Sequence, residues 1–282
     1  MLQIPLSLVF LCQPGLAQSA AQEPTSQAVG DPAASGLRLE LLTINETRRA
    51  YRVPPPNPEM PTNSTAQIML TIEGPRVPEI FRYGSPVFET VVDDTGQSMM
   101  EGVTYRDEQR EATRFPNARQ KSGQIPVMII GNLSAAARGA KTIKTGRGTV
   151  KVILATESEE VTIENPLQYR GKVIDHPRLL ELGVEISVLP PGDPENIPVN
   201  EQYLVVQFKR GFMRIKNLKF YDGWMREIRS RGSVGKTIDG EECFIYQILN
   251  GRLTEDAHLV VNVYPKIEVY QLPIVLDGEA LP

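Results

Sequence analysis

The residues able to do chemistry are few. The chain has two histidines, His176 and His258, and two cysteines, Cys12 and Cys243. A Ser-His-acid set needs a histidine beside a nucleophile. His176 stands before Pro177 in a connector, His258 opens an apolar run, and no Gly-x-Ser-x-Gly elbow is present. Structural or catalytic zinc takes three or four His/Cys ligands at short spacings, which this chain does not offer. Gly232-Ser233-Val234-Gly235-Lys236-Thr237 ends like a phosphate loop, but Ser230 stands where the pattern wants its first glycine. It also leads into Asp239-Gly240 and an apolar run rather than a helix. A glycine-rich hairpin accounts for it.

Carboxylates come in adjacent pairs: Asp93-Asp94, Asp107-Glu108, Glu159-Glu160 and Glu241-Glu242. Adjacent acids do not define the cleft-spanning pair of a glycosidase. Asp93 and Asp94 could offer oxygens to calcium, but no dense Asp-x-Asp run surrounds them, so a solvated acidic turn is expected. No metal or cofactor is expected, and the chain is read as not an enzyme. The sequons at Asn45, Asn63 and Asn132 matter only in a host that glycosylates exported proteins.

One segment departs from the rest in charge. Phe208 to Lys236 holds Lys209, Arg210, Arg214, Lys216, Lys219, Arg226, Arg229, Arg231 and Lys236 against Asp222 and Glu227, a net charge of +7. The remainder then carries -11, since the whole chain sums to -4. Aromatics interleave, among them Phe220, Tyr221 and the only tryptophan, Trp224. The candidate ligand-contacting residues are Arg214, Lys216, Lys219, Tyr221, Trp224 and Arg226. They would meet an anionic polysaccharide, a partner protein, or the acidic first half of the chain itself. Strict alternation would put Arg214, Lys216, Leu218 and Phe220 on one strand face and Ile215, Asn217, Lys219 and Tyr221 on the other. The alternative is that these cations guard strand edges against pairing.

The elements that must carry these residues are strands. Charged residues make up 23% and hydrophobic residues 41% of the 282 positions, ordinary globular usage. Twenty-three prolines and 22 glycines are scattered throughout, which suits short strands and turns. Alternating or β-branched runs predict strands over 37–45, 66–73, 87–93, 125–131, 141–144, 149–155 and 160–164. A second set falls over 183–189, 202–209, 213–221, 226–231, 242–249, 258–264 and 267–276. Short helical turns are expected over 134–141 and 177–182. Mean hydropathy is -0.22 and no apolar run reaches the ~18 residues of a membrane span. The acidic balance argues against nucleic acid as a partner.

The halves can be laid on one another. Leu37-Arg38-Leu39-Glu40-Leu41 matches Val184-Glu185-Ile186-Ser187-Val188, and the loops Pro54 to Asn63 and Pro190 to Asn200 follow. Asp94-Thr95-Gly96 matches Asp222-Gly223 after a strand. Each half then closes on two runs, Val150 to Leu154 with Val161 to Ile163, and Leu259 to Val263 with Ile267 to Val269. About seven short strands per ~100 residues resembles the broad immunoglobulin-like sandwich superfamily, without the antibody cysteine pair. The fold expectation is therefore all-β, two tandem immunoglobulin-like β-sandwich domains over 36–165 and 166–282.

Ahead of them, Leu2 to Leu11 has the length of a signal-peptide h-region, and Gly15-Leu16-Ala17 the small residues of a cleavage site. Residues 1–17 are read as a signal peptide, although its start carries no Lys or Arg, and 18–35 as a disordered linker. The mature chain would be secreted or periplasmic, and its proline-rich, single-cysteine character suggests a bacterial host. Cys243 alone would remain, with no intrachain disulfide. The functional expectation is an exported, non-enzymatic structural or interaction protein that binds a protein or envelope partner. The alternatives are a carbohydrate-binding module, and an enzyme with an unfamiliar carboxylate site.

Overall fold

The computed structural model describes residues 29–48, 64–103, 114–189, 203–238, 241–249 and 253–282. The signal-peptide reading, the sequon at Asn63, the pair Asp107-Glu108 and both matched loops lie outside the described residues. The protein is predominantly β, as its alternating runs predict. In chain order the strands are β1 (Val29–Gly30), β2 (Arg38–Thr47), β3 (Thr65–Glu73), β4 (Ile80–Tyr83), β5 (Val87–Asp93) and β6 (Val127–Ser134). There follow β7 (Ile143–Leu154), β8 (Glu159–Glu164), β9 (Lys172–Val173), β10 (Glu185–Val188), β11 (Tyr203–Arg210) and β12 (Ile215–Tyr221). The last are β13 (Glu227–Ile228), β14 (Ser230–Ile238), β15 (Glu241–Ile248), β16 (His258–Val263) and β17 (Glu268–Val275).

They form four sheets. The order β1-β17-β7-β4, with β5 also on β7, makes one, and β2-β3-β6 a second. The orders β10-β11-β15-β14 and β13-β12-β16-β8 make the others. The first two sheets share one apolar cluster, in which Ile68, Leu70 and Ile129 meet Ile80, Val150, Val152 and Leu272. The last two share another, built from Val161, Ile186, Val206, Phe220, Leu259 and Val261. Removing such side chains from water is the main favourable term for each sheet pair.

The pairing does not follow a division at 165/166. β8 lies N-terminal to that point, yet pairs antiparallel with β16, Ile163 opposite Leu259. β17 lies near the C-terminus, yet pairs with β7, Val269 opposite Ile153 and Val275 opposite Arg147. The two runs expected to close each half therefore pair with the other half's runs. Alternation fixes which face of a strand is buried but not which strand lies beside it.

Other expectations need correction. The linker expected over 18–35 does not extend through 29–35. Val29 and Gly30 pair parallel with Val269 and Tyr270, and Pro32–Ser35 forms a 3-10 turn capped by Asp31. Ser35 is fully buried, its hydroxyl donating to Pro32 O and accepting from Leu37 N. Local hydrogen bonds order this segment despite its few apolar residues. The runs over 141–144 and 149–155 are one 12-residue strand, β7. Gly146 and Gly148 look like turn residues, but a Cβ at Gly148 would lie 2.6 Å from Val87 O. Glycine there lets β5 approach rather than turning the chain. No helix forms over 134–141, whereas Pro177–Glu181 is helical as expected. The glycine-rich run after Ser230 lies within β14.

A third cluster joins the two sheet pairs. Phe81, Ile153 and Val269 from the first meet Tyr264 after β16, with Met213 and Ile267 packed against them. Arg82 sits there at 1% exposure. Its Nη2 donates to Ile215 O at 2.8 Å and Phe212 O at 3.3 Å. Its guanidinium carbon lies 4.2 Å from the Phe212 ring centre, 4.5 Å from that of Phe115 and 4.9 Å from that of Phe81. Arginine suits such a site because it stacks on rings while its planar donors reach carbonyls.

Candidate functional site

The basic-aromatic segment is not one surface. Arg214 lies in the 3-10 turn Phe212–Arg214 before β12. It is half-buried and its Nη1 donates to the carbonyls of Pro265 and Tyr264. Lys216 Nζ donates to Ser158 Oγ at 3.1 Å and stands 5.7 Å from the Tyr264 ring centre. Both cations thus brace the passage between the sheet pairs. The register of β12 on β16 shifts between Ile215 and Asn217. That bulge reverses the phase of the strand before it. Ile215, Leu218 and Phe220 are buried, and Lys216 is exposed, so the expected grouping of Lys216 with Leu218 and Phe220 fails. Lys219 and Tyr221 are half-buried on the other face, with Lys219 opposite Val260 and Tyr221 between Glu227 and His258. Lys209, Arg210, Arg229 and Arg231 are exposed elsewhere.

What stands out is the loop from β12 to β13. Asp222 organises it: Oδ1 accepts from Trp224 N and Arg226 N, each at 2.9 Å. Oδ2 takes Arg226 Nε at 2.8 Å and Nη2 at 2.7 Å. Backbone bonds from Asp222 N to Arg226 O and from Met225 N to Asp222 O close the turn. An aspartate beginning a turn serves this way because its carboxylate mimics a backbone acceptor. The Arg226 backbone N–H, then the Arg226 side chain and Trp224 N–H, hold the Asp222 carboxyl below the usual carboxylate range. Met225 has φ 58°, a conformation non-glycine residues adopt at some cost. A Cβ at Gly223 would lie 2.1 Å from Asp256 Oδ2, the far end of an exposed side chain that can turn aside.

This frame presents two apolar side chains outward. Trp224 is 81% exposed and Met225 53% exposed. The sequence singles out Trp224 but not Met225, and places Arg226 among the ligand-contacting residues although its guanidinium is held by Asp222. The Asp222-Gly223 turn was the available signal. Exposed Glu227, Glu255 and Asp256 border the tip, so it is apolar with mixed charge rather than a basic field.

The pair Asp93-Asp94 ends β5 in a related turn. Asp93 Oδ1 accepts from Thr95 N at 3.0 Å, Thr95 Oγ1 at 2.6 Å and Gln97 N at 2.9 Å, and Oδ2 from Ala137 N at 2.8 Å. Asp93 is fully buried, so this is not a solvated turn. Its oxygens are taken by hydrogens that would repel a cation. Burial pushes its pKa up, and the bonds from Thr95, Ala137 and Gln97 outweigh that and leave it lowered. Among the described residues no three His, Cys, Asp or Glu side chains gather as a metal site. Cys243 is fully buried against Val205. Comparison with protein-family models, curated proteins and solved structures finds no match to this chain.

Proposed function

We propose that the chain is an exported, non-enzymatic interaction protein of two immunoglobulin-like sandwiches that binds a protein or envelope partner through the Trp224–Met225 tip. The supporting observation is an indole 81% exposed on a loop already ordered by Asp222. Tryptophan is enriched among the residues that dominate binding energy. A preordered loop loses little entropy when its partner arrives. Export rests on the apolar run Leu2 to Leu11 and the Gly15-Leu16-Ala17 site.

The test is capture of partners from envelope and secreted extracts by the wild-type chain and by Trp224→Ala. The expected result is a partner whose recovery falls at least tenfold with the variant, about 1.4 kcal/mol or more, while thermal unfolding is unchanged. Equal recovery by both would overturn the reading. A glycan array whose hits depend on Trp224 would instead favour the carbohydrate-binding alternative.

A further inference from the structure

The open edge strands are guarded unequally. β2 carries Arg38, Glu40 and Glu46 and a register shift between Leu41 and Thr43. β8 carries Glu159, Glu160 and Glu164, and β14 carries Arg231 and its own register shift. β13 has two residues, β10 has its outer carbonyls at Ile186 and Val188 taken by Ile174 N and Gly171 N, and β17 carries Pro273 on the edge that β1 covers only at Val269 and Tyr270. Charges, bulges, prolines and shortness are the usual means of keeping an edge from pairing with another chain. β6, Val-Met-Ile-Ile-Gly-Asn-Leu-Ser, has none of them. It carries no charge, and its register on β3 is unbroken from Ile72↔Val127 to Thr65↔Ser134.

The open groups of this edge can be identified. Ala135 N donates to Ser64 O across the β3 side, while Ser134 N donates to Met99 O on the opposite side. Antiparallel ladders alternate residue by residue. The backbone N–H and C=O of Met128, Ile130 and Asn132 therefore point away from β3, and among the described residues no strand meets them. The set is closed at both ends. Ser134 N is already used, and Pro126, which has no N–H, gives its carbonyl to Gln120 Nε2 at 3.4 Å. Met128 and Ile130 are 44% and 41% exposed.

We infer that β6 is a self-pairing edge, which joins a second copy of this chain antiparallel about a two-fold axis through Ile130. That register places Ile130 opposite its own counterpart and Met128 opposite Asn132 of the other copy. It forms six backbone hydrogen bonds and uses all three open residues on each strand. It also sets Ser134 opposite Pro126, so each end of the pairing falls where one chain has nothing left to donate. No charge opposes a like charge across the axis. A C2 contact needs such self-complementarity. Strand pairing of this length falls below the ~1,200 Å² of standard interfaces, so the dimer is weak and is sought at up to about 1 mM.

The test is sedimentation equilibrium of the full chain from dilute to concentrated solution, with amide hydrogen exchange read at both ends of the range. The expected result is a monomer–dimer equilibrium in which exchange at Met128, Ile130 and Asn132 slows about tenfold on concentration. Ile130→Lys, which puts two ammonium groups face to face, should abolish it. Ile130→Pro should do the same without touching the β3 ladder, since the Ile130 N–H points away from β3. If either fails to fold, Met128→Lys is the substitute. A wild-type chain monomeric at 1 mM would overturn the inference, and so would a dimer that survives these substitutions. So would protection of these amides only on adding an extended synthetic peptide, which would give the edge to a different strand.

Discussion

Asp93 and Asp222 do the same work in the two sheet pairs. Asp93 ends β5 and Asp222 directly follows β12, and each uses one carboxylate oxygen to accept from the N–H groups two and four residues on. The sequence comparison aligns Asp94, not Asp93, with Asp222, because an adjacent pair of acids gives no sign of which one turns inward. The second oxygens differ in use: that of Asp93 takes Ala137 N, that of Asp222 takes the Arg226 guanidinium. Asp93→Asn keeps the shape but loses charge and one acceptor, and should cost about 2 to 4 kcal/mol at neutral pH. The lowered pKa of Asp93 fixes the pH dependence. Its contribution is fully present above the ordinary carboxylate pKa of about 4. It is lost as pH falls through the lower folded value. Urea midpoints of wild type and Asp93→Asn should therefore converge as the solution is acidified, and a gap that widens towards low pH would contradict this role.

At the scale of elements, alternation locates β8 well, since Thr162 and Glu164 follow buried Val161 and Ile163, while β3 and β5 are marked by their apolar and β-branched runs. It fails at β4, where Ile80, Phe81, Arg82 and Tyr83 are all buried, so no polar face marks the strand. It fails in phase at β12, because a bulge leaves no trace in composition. The arginine that makes β4 look unlike a core strand is what ties it to Phe212 and Ile215. Arg82→Ala removes a donor from both carbonyls, leaving that of Phe212 only the Ile215 N–H, and removes the cation from between Phe81, Phe115 and Phe212. The expected loss is about 2 to 4 kcal/mol, read by thermal unfolding. The first sign should be faster exchange at the amides of residues 212–215 and 264, and unchanged exchange there would refute the role.

Across the whole molecule, the second sheet pair occupies the chain between β7 and β17, so the first is completed only by its last strand. Strand type was legible in the sequence, but partnership was not, since any of several β-branched runs matches β7 in pattern. A fragment of residues 36–165 lacks the β17 partner of β7 and should fail to give a cooperative unfolding transition. A fragment of residues 157–266 retains both sheets of the second pair, β8 included, and should fold alone. Cooperative unfolding of the 36–165 fragment would contradict the strand exchange. This arrangement also leaves the β12–β13 tip to project from the inserted unit, where the one tryptophan of the chain reports on it. The direct test of binding through that tip is acrylamide quenching of Trp224 fluorescence, before and after addition of a captured partner that itself lacks tryptophan. Emission should shift to the blue and quenching fall severalfold as the indole leaves water. Unchanged emission and quenching in a saturated complex would contradict it.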